Sequence, residues 1–361
     1  MDSSRQKLVG VQILRGIAAT AVAWHHLLEI SSYLKYGWHP PDWLIRLGAA
    51  GVDVFFVISG FIMVFVNFAP GRDCSTPGLF LLKRAVRIYP FYWCCCLLML
   101  GLKLVGFYRS VNTGSAFVLN SLLLLPLHKT YLIGVAWTLV YELYFYLLFA
   151  LTLPLRSVKL SVLGTAALIL VVYALAPFAP LESLRIFLGS PIVFEFCFGM
   201  LLGWYVTRRE AAPHATSALV VGMGALIVAT LLIPAPNTNG LVGMQRVLGW
   251  GLPAVLCVWS AVHWAPAASR LTRSAILVGD ASYAIYLTHV FVMVVYAKLL
   301  RSSPALASAS QWPLTSLGLL VALLLGVTAH LIVEKRVTRL AAALASSPRG
   351  SGTAGTRRFE I

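Results

Sequence analysis

Ten stretches of about twenty mainly apolar residues are spread along this 361-residue chain, each long enough to cross a bilayer as a helix. They fall at 8–30, 48–68, 88–108, 134–154, 160–178, 186–206, 216–234, 245–264, 277–300 and 314–336. Backbone amides and carbonyls at membrane depth have no water to bond to, so runs of this length fold as helices. Only 11% of the residues are charged, against about 25% in soluble domains. The expected fold is an all-α integral membrane bundle of about ten transmembrane helices. A further stretch, 115–127 (SAFVLNSLLLLPL), is too short and interrupted to span and reads as re-entrant or interfacial.

The net charge of +16 invites a nucleic-acid partner, but the basic residues sort by membrane side instead of forming one patch. With the N-terminus inside, the cytoplasmic segments hold Arg5, Lys7, Arg72, Lys83, Arg84, Arg87, Arg156, Lys159, Arg208, Arg209, Arg270 and Arg273. External segments hold about half as many, the positive-inside pattern. Both termini are therefore expected in the cytoplasm, and nucleic-acid binding is set aside. Residues 1–340 read as one transmembrane domain. Residues 341–361, rich in Ser, Gly and Arg, read as a disordered basic tail able to touch anionic lipid. The opening apolar run exceeds a signal-peptide core and lacks a small-residue cleavage motif, so it is expected to remain as the first span. Six cysteines show no CxxC or Cys/His spacing, which predicts neither a disulfide framework nor a metal site.

Side chains that are costly in a membrane mark where chemistry is expected. Arg15 and His26 stand eleven positions apart on the first span, which returns them to nearly one helix face about 16 Å apart. His25 points elsewhere. Asp53, at the start of the second span (GVDVFFVISGF), lies near the membrane face of His26 and is a candidate partner for its imidazole. In LLKRAVRIYPFYW, Lys83, Arg84 and Arg87 precede the third span. Arg84 and Arg87 share a helix face, and two guanidinium forks at that distance suit a diphosphate or a 3′-phosphate. Glu142 lies among aromatics in WTLVYELYFY and must be protonated, paired or wet. The ninth span opens with Asp280, Ser282, Tyr283, Tyr286 and His289. Near the end of the tenth, His330 and Glu334 sit four apart and read as packing at the bundle end.

RGIAATAVAWHH, GVDVFFVISGF, KRAVRIYP, WTLVYELYFY and GDASYAIYLTH, in this order and at these depths, resemble acyltransferase family 3, the integral membrane acyltransferases. LVGVQILRGIAA and WTLVYE look most similar to the O-acetyltransferases of bacterial exopolysaccharide production. The resemblance implies a bacterial inner-membrane enzyme that moves an acyl group from cytoplasmic acyl-CoA, with acetyl-CoA as the expected co-substrate, to a hydroxyl of a surface carbohydrate. It assigns His26 as the essential histidine, Arg15 as its partner on the helix, and Arg84 and Arg87 as coenzyme A contacts, with Lys83 and Tyr89 beside them. Glu142 and Asp53 complete the candidate catalytic set.

Under that expectation the His26 imidazole is either a general base or a nucleophile that carries the acyl group. Arg15, Ser59 or a tyrosine of the fourth span would stabilise developing negative charge. Trp38, His39 and Trp43 in the first external loop are candidates for stacking on a sugar, as they are for a membrane-edge aromatic belt. The expected partners are acyl-CoA, a polysaccharide or lipid-linked oligosaccharide and membrane lipid, with a homo-oligomer possible. The rival from another class is a transporter or flippase for a sugar, in which the same buried polar residues form a substrate or proton path.

Overall fold

The computed structural model describes residues 3–34, 40–68, 74–107, 112–208, 214–234, 242–303 and 312–346, and every regular element among them is helical. A long α1 (Ser3–Leu34) precedes a short α2 (Asp42–Ala49) that turns directly into α3 (Gly51–Phe68). Then come α4 (Pro77–Leu104), α5 (Ser115–Leu123), α6 (Trp137–Thr152), α7 (Val158–Leu175) and α8 (Glu182–Leu188). They are followed by α9 (Phe194–Arg208), α10 (Ala215–Leu232), α11 (Gly243–Arg246) and α12 (Leu252–His263). The last are α13 (Arg270–Asp280), α14 (Ser282–Ser302), α15 (Trp312–Ala329) and α16 (Lys335–Ser346). Two π turns, Val247–Gly251 and His330–Glu334, join α11 to α12 and α15 to α16.

Among the described residues, ten helical segments are long and apolar enough to cross a membrane, and each overlaps one of the ten expected spans. The doubtful stretch at 115–127 holds only the nine-residue α5, which ends at Leu124 in the left-handed conformation (φ 54°), so it adds no crossing. Three boundaries differ from expectation. The third span begins at Pro77 and not at 88, because proline opens a helix without costing a hydrogen bond, and this places Lys83, Arg84 and Arg87 inside α4. The expected span 277–300 is divided, Asp280 closing the amphipathic α13 and the crossing helix beginning at Ser282. The last helix runs through Ser346, past the boundary expected at 340, and 347–361 lie outside the described residues, as do Trp38, His39, Arg72 and Arg209.

The first helix is the hub, packing on α2, α3, α12, α13, α14 and α15. The second strong contact is between α3 and α9, where the two backbones nearly touch. A Cβ on Gly60 would fall 2.1 Å from the Phe196 carbonyl oxygen, and one on Gly199 2.0 Å from that of Val57. Only glycine fits this crossing, as is common where membrane helices pack by close backbone approach. At the perimeter, α7, α10 and α15 leave Leu170, Val220 and Leu324 exposed, as helices facing lipid tails do. Polar residues of α1, α3, α4, α6 and α14 meet inside the bundle, and that is where the site lies.

Candidate active site

A cavity of about 170 Å³ opens among α1, α3, α4, α6 and α14. Arg15, Arg84, Arg87 and Glu142, four of the eight candidate catalytic and donor-contact residues, line it together with Ser59, Tyr283 and Tyr286, also singled out from sequence, and with Thr138 and Tyr146. Each is held differently. The Arg15 guanidinium donates to Gln12 Oε1 at 3.2 Å, and the Gln12 amide donates in turn to Asp280 at the end of α13. Glu142 accepts from the Tyr146 hydroxyl and, at 3.2 Å, from Ser59 Oγ. It faces Arg15 across the cavity without a direct ion pair. Arg84 lies over two aromatic faces, its guanidinium carbon 5.5 Å from the Phe80 ring centre and 5.7 Å from that of Tyr146. Arg87 Nη1 stands 3.2 Å from Glu334 Oε1. Three guanidiniums against the carboxylates of Glu142 and Glu334 leave the site positive when all five groups are ionised, which suits an anionic ligand.

His26 is not in the cavity wall. It belongs to a second cluster farther along α1, where His25, His26 and Glu29 bring their ring nitrogens and carboxylate within 4.8 Å of one another. His25 is buried with Nδ1 2.7 Å from the Ile45 carbonyl oxygen. A carbonyl only accepts, so Nδ1 carries the proton and ties α1 to α2. His26 is the more accessible of the two, with Nδ1 3.5 Å from Glu29 Oε2 and its ring stacked on His289 at 5.4 Å between centres. His289 donates from Nδ1 to the Ile285 carbonyl at 3.2 Å, and its ring centre is 5.9 Å from that of Tyr286. Tyr286 lines the cavity and touches His289, which stacks on His26, so the two clusters share one wall.

Asp53 does not pair with His26. Its two oxygens accept from Arg246 Nε at 2.9 Å and Nη2 at 2.8 Å, a bidentate bridge in which Asp53 is fully buried. The guanidinium carbon lies 5.2 Å from the centre of the Trp250 ring in the following π turn, and Glu195 packs fully buried against Gly251 nearby. This is a structural bridge between α3 and the start of the eighth span. Arg246→Ala leaves a buried carboxylate without its cation, a change worth about 3 to 5 kcal/mol. A large fall in melting temperature of the detergent-solubilised protein is expected, and unaltered melting would contradict the structural role.

Two other expected contacts fall outside the cavity. The Tyr89 hydroxyl donates to the Leu123 carbonyl oxygen at 3.0 Å on the α5 side, and Lys83 does not contribute to the cavity wall. The His330–Glu334 pair forms as expected, with Nδ1 2.7 Å from Oε2, but Glu334 also reaches Arg87. Glu29 was missed although HHLLE carries its signal, an acid three and four residues after two histidines. Arg246 and Gln12 gave no comparable signal.

Residues 8–331 match the acyltransferase domain of acyltransferase family 3. The exopolysaccharide production protein ExoZ of Rhizobium meliloti (strain 1021) is 31% identical over 306 residues, covering 81% of this chain and 90% of that protein. Acyltransferase MdmB of Streptomyces mycarofaciens is 27% identical, covering 82% of each chain. Nodulation protein 10 of Rhizobium leguminosarum bv. viciae is 28% identical over 78% of this chain and 82% of its own. No solved structure matches. Since the family match runs through nearly the whole bundle, the chain belongs to acyltransferase family 3 and is a multi-pass membrane O-acyltransferase.

Proposed function

We propose that the protein sits in the bacterial inner membrane with both termini cytoplasmic and transfers an acetyl group from cytoplasmic acetyl-CoA to a hydroxyl of an exported carbohydrate such as exopolysaccharide. The observation that carries this is the meeting of Arg84 and Arg87 with Arg15, Ser59 and Glu142 in one positive cavity. On the positive-inside orientation the two α4 arginines lie at the cytoplasmic end, so the nucleotide phosphates bind there and the pantetheine arm points inward. The cavity accommodates part of the donor, and its Tyr286 wall leads through His289 to His26.

The acceptor hydroxyl oxygen attacks the thioester carbonyl carbon and the carbon–sulfur bond breaks. His26 takes the hydroxyl proton, and that proton ends on the departing coenzyme A sulfur, so no further reactant is needed. Glu29, 3.5 Å from His26 Nδ1, stabilises the imidazolium as it forms. Arg15 on the cavity wall is the cation that would stabilise developing negative charge on the carbonyl oxygen, the Tyr286 hydroxyl being committed to the Val135 carbonyl oxygen at 3.1 Å.

The test is transfer by the purified protein in lipid vesicles supplied with radiolabelled acetyl-CoA inside and polysaccharide outside. Label on the polysaccharide is expected. Sugar movement across the vesicle with no label transferred would favour the transporter reading, and label only from succinyl-CoA would change the acyl group assigned. Similarity to a protein named for exopolysaccharide production supports the choice of acceptor class.

A further inference from the structure

The two arginines of the α4 pair do not have equivalent surroundings. Among the described residues, Arg87 is the one cavity arginine with a carboxylate within 4.0 Å, at Glu334. We propose that Glu334, held by His330, is a positioning residue that fixes the Arg87 guanidinium for the donor's phosphate groups, so that donor affinity is set from the end of the last span. The inference rests on the reading of the cavity as the acyl-CoA site.

Burial supplies the first support. The Glu334 side chain is 1% exposed and that of His330 5% exposed. An ionised carboxylate is kept there only if it is paired and hydrogen-bonded. Glu334 has both: Oε1 faces Arg87 Nη1 at 3.2 Å, and Oε2 accepts from His330 Nδ1 at 2.7 Å. The imidazole fixes the carboxylate by a hydrogen bond, and the carboxylate draws the guanidinium toward it as an ion pair.

The second support is the division of Arg87 itself. A guanidinium has five N–H donors in a rigid fork, and the Glu334 carboxylate stands against one end of it as an ion pair that is not aligned as a hydrogen bond. The side chain remains 32% exposed and lines the cavity, so donors are left over for an incoming phosphate. A partner that occupied the whole fork would block binding; one that holds an edge orients the rest. Arg84, by contrast, rests on the Phe80 and Tyr146 rings and has no carboxylate within 4 Å among the described residues.

The third support is local backbone. His330 and Glu334 are the ends of a π turn inserted between α15 and α16. Such turns cost hydrogen-bond regularity and occur often at functional sites, where they re-aim a side chain. This one faces α4 and α14, the helices that bear Arg87 and Tyr283.

The experiment is a double-mutant cycle on coenzyme A binding, measured by calorimetry with the full chain in nanodiscs. Glu334→Gln, which keeps the shape and removes the charge, is expected to raise Kd about tenfold through loss of one charge-assisted orientation. Arg87→Ala combined with Glu334→Gln should bind no more weakly than Arg87→Ala alone, and Glu334→Asp should recover part of the loss. In turnover, KM for acetyl-CoA should rise while kcat and the acceptor KM stay within about twofold. Wild-type affinity in Glu334→Gln, or a loss that adds in full to that of Arg87→Ala, overturns the proposal. If the wild-type protein binds no coenzyme A, the donor assignment itself falls, and the positioning role falls with it.

Discussion

His26→Ala is expected to lower kcat for acyl transfer by about 10² to 10⁴-fold, the usual weight of a positioned general base, while coenzyme A binding survives. The two effects separate because Arg84 and Arg87, the proposed phosphate contacts, and the imidazole occupy different clusters on the bundle. His25→Ala is the matched control. Its Nδ1 is committed to the Ile45 carbonyl, so the substitution orphans a buried acceptor at a cost of about 1 to 3 kcal/mol of stability and leaves turnover per folded molecule near wild type. Transfer assays on both variants, normalised to folded protein, decide between the imidazoles. Wild-type turnover by His26→Ala would remove it from the mechanism.

Replacing Arg84 and Arg87 together with alanine should have the other large effect, this time on the donor. Each charge-assisted contact to phosphate is worth about 1.5 to 3 kcal/mol, so the double variant should weaken coenzyme A binding by about 10² to 10⁴-fold. The loss should appear first in KM for acetyl-CoA, with kcat at saturating donor falling much less. Strong salt dependence of wild-type donor affinity, flattened in the double variant, would identify the contacts as ionic. Unchanged donor KM would mean that the phosphates bind elsewhere.

Much of the architecture was legible because membrane energetics write it plainly: all ten expected spans have a counterpart among the helices. The cavity arginines and Glu142 were legible for the same reason, since each is a side chain that a purely structural span would avoid. Tyr89 shows where local inference failed. It was grouped with Arg84 and Arg87 by proximity along the chain, but a helix running unbroken from Pro77 turns residue 89 about 140° away from residue 84. Asp53 shows the other limit. Its partner, Arg246, is 193 positions away on a segment with no motif, and membrane depth alone pointed to His26 instead. Likewise the stacking of His26 on His289 depends on how α1 crosses α14, a tertiary contact that neither helix announces.

The crossing of α3 and α9 has a consequence for the rigidity of the site. With Gly60 and Gly199 bringing main chain against main chain, there is no side-chain layer between the two helices at this point. Ser59, next to Gly60, is thereby fixed as one pole of the site, and through it the Glu142 carboxylate. α14 is tied in the same way on the far side, where a Cβ on Gly326 would fall 2.6 Å from the Ile285 Cα, so two of the cavity's walls are held by main chain and not by side-chain packing alone.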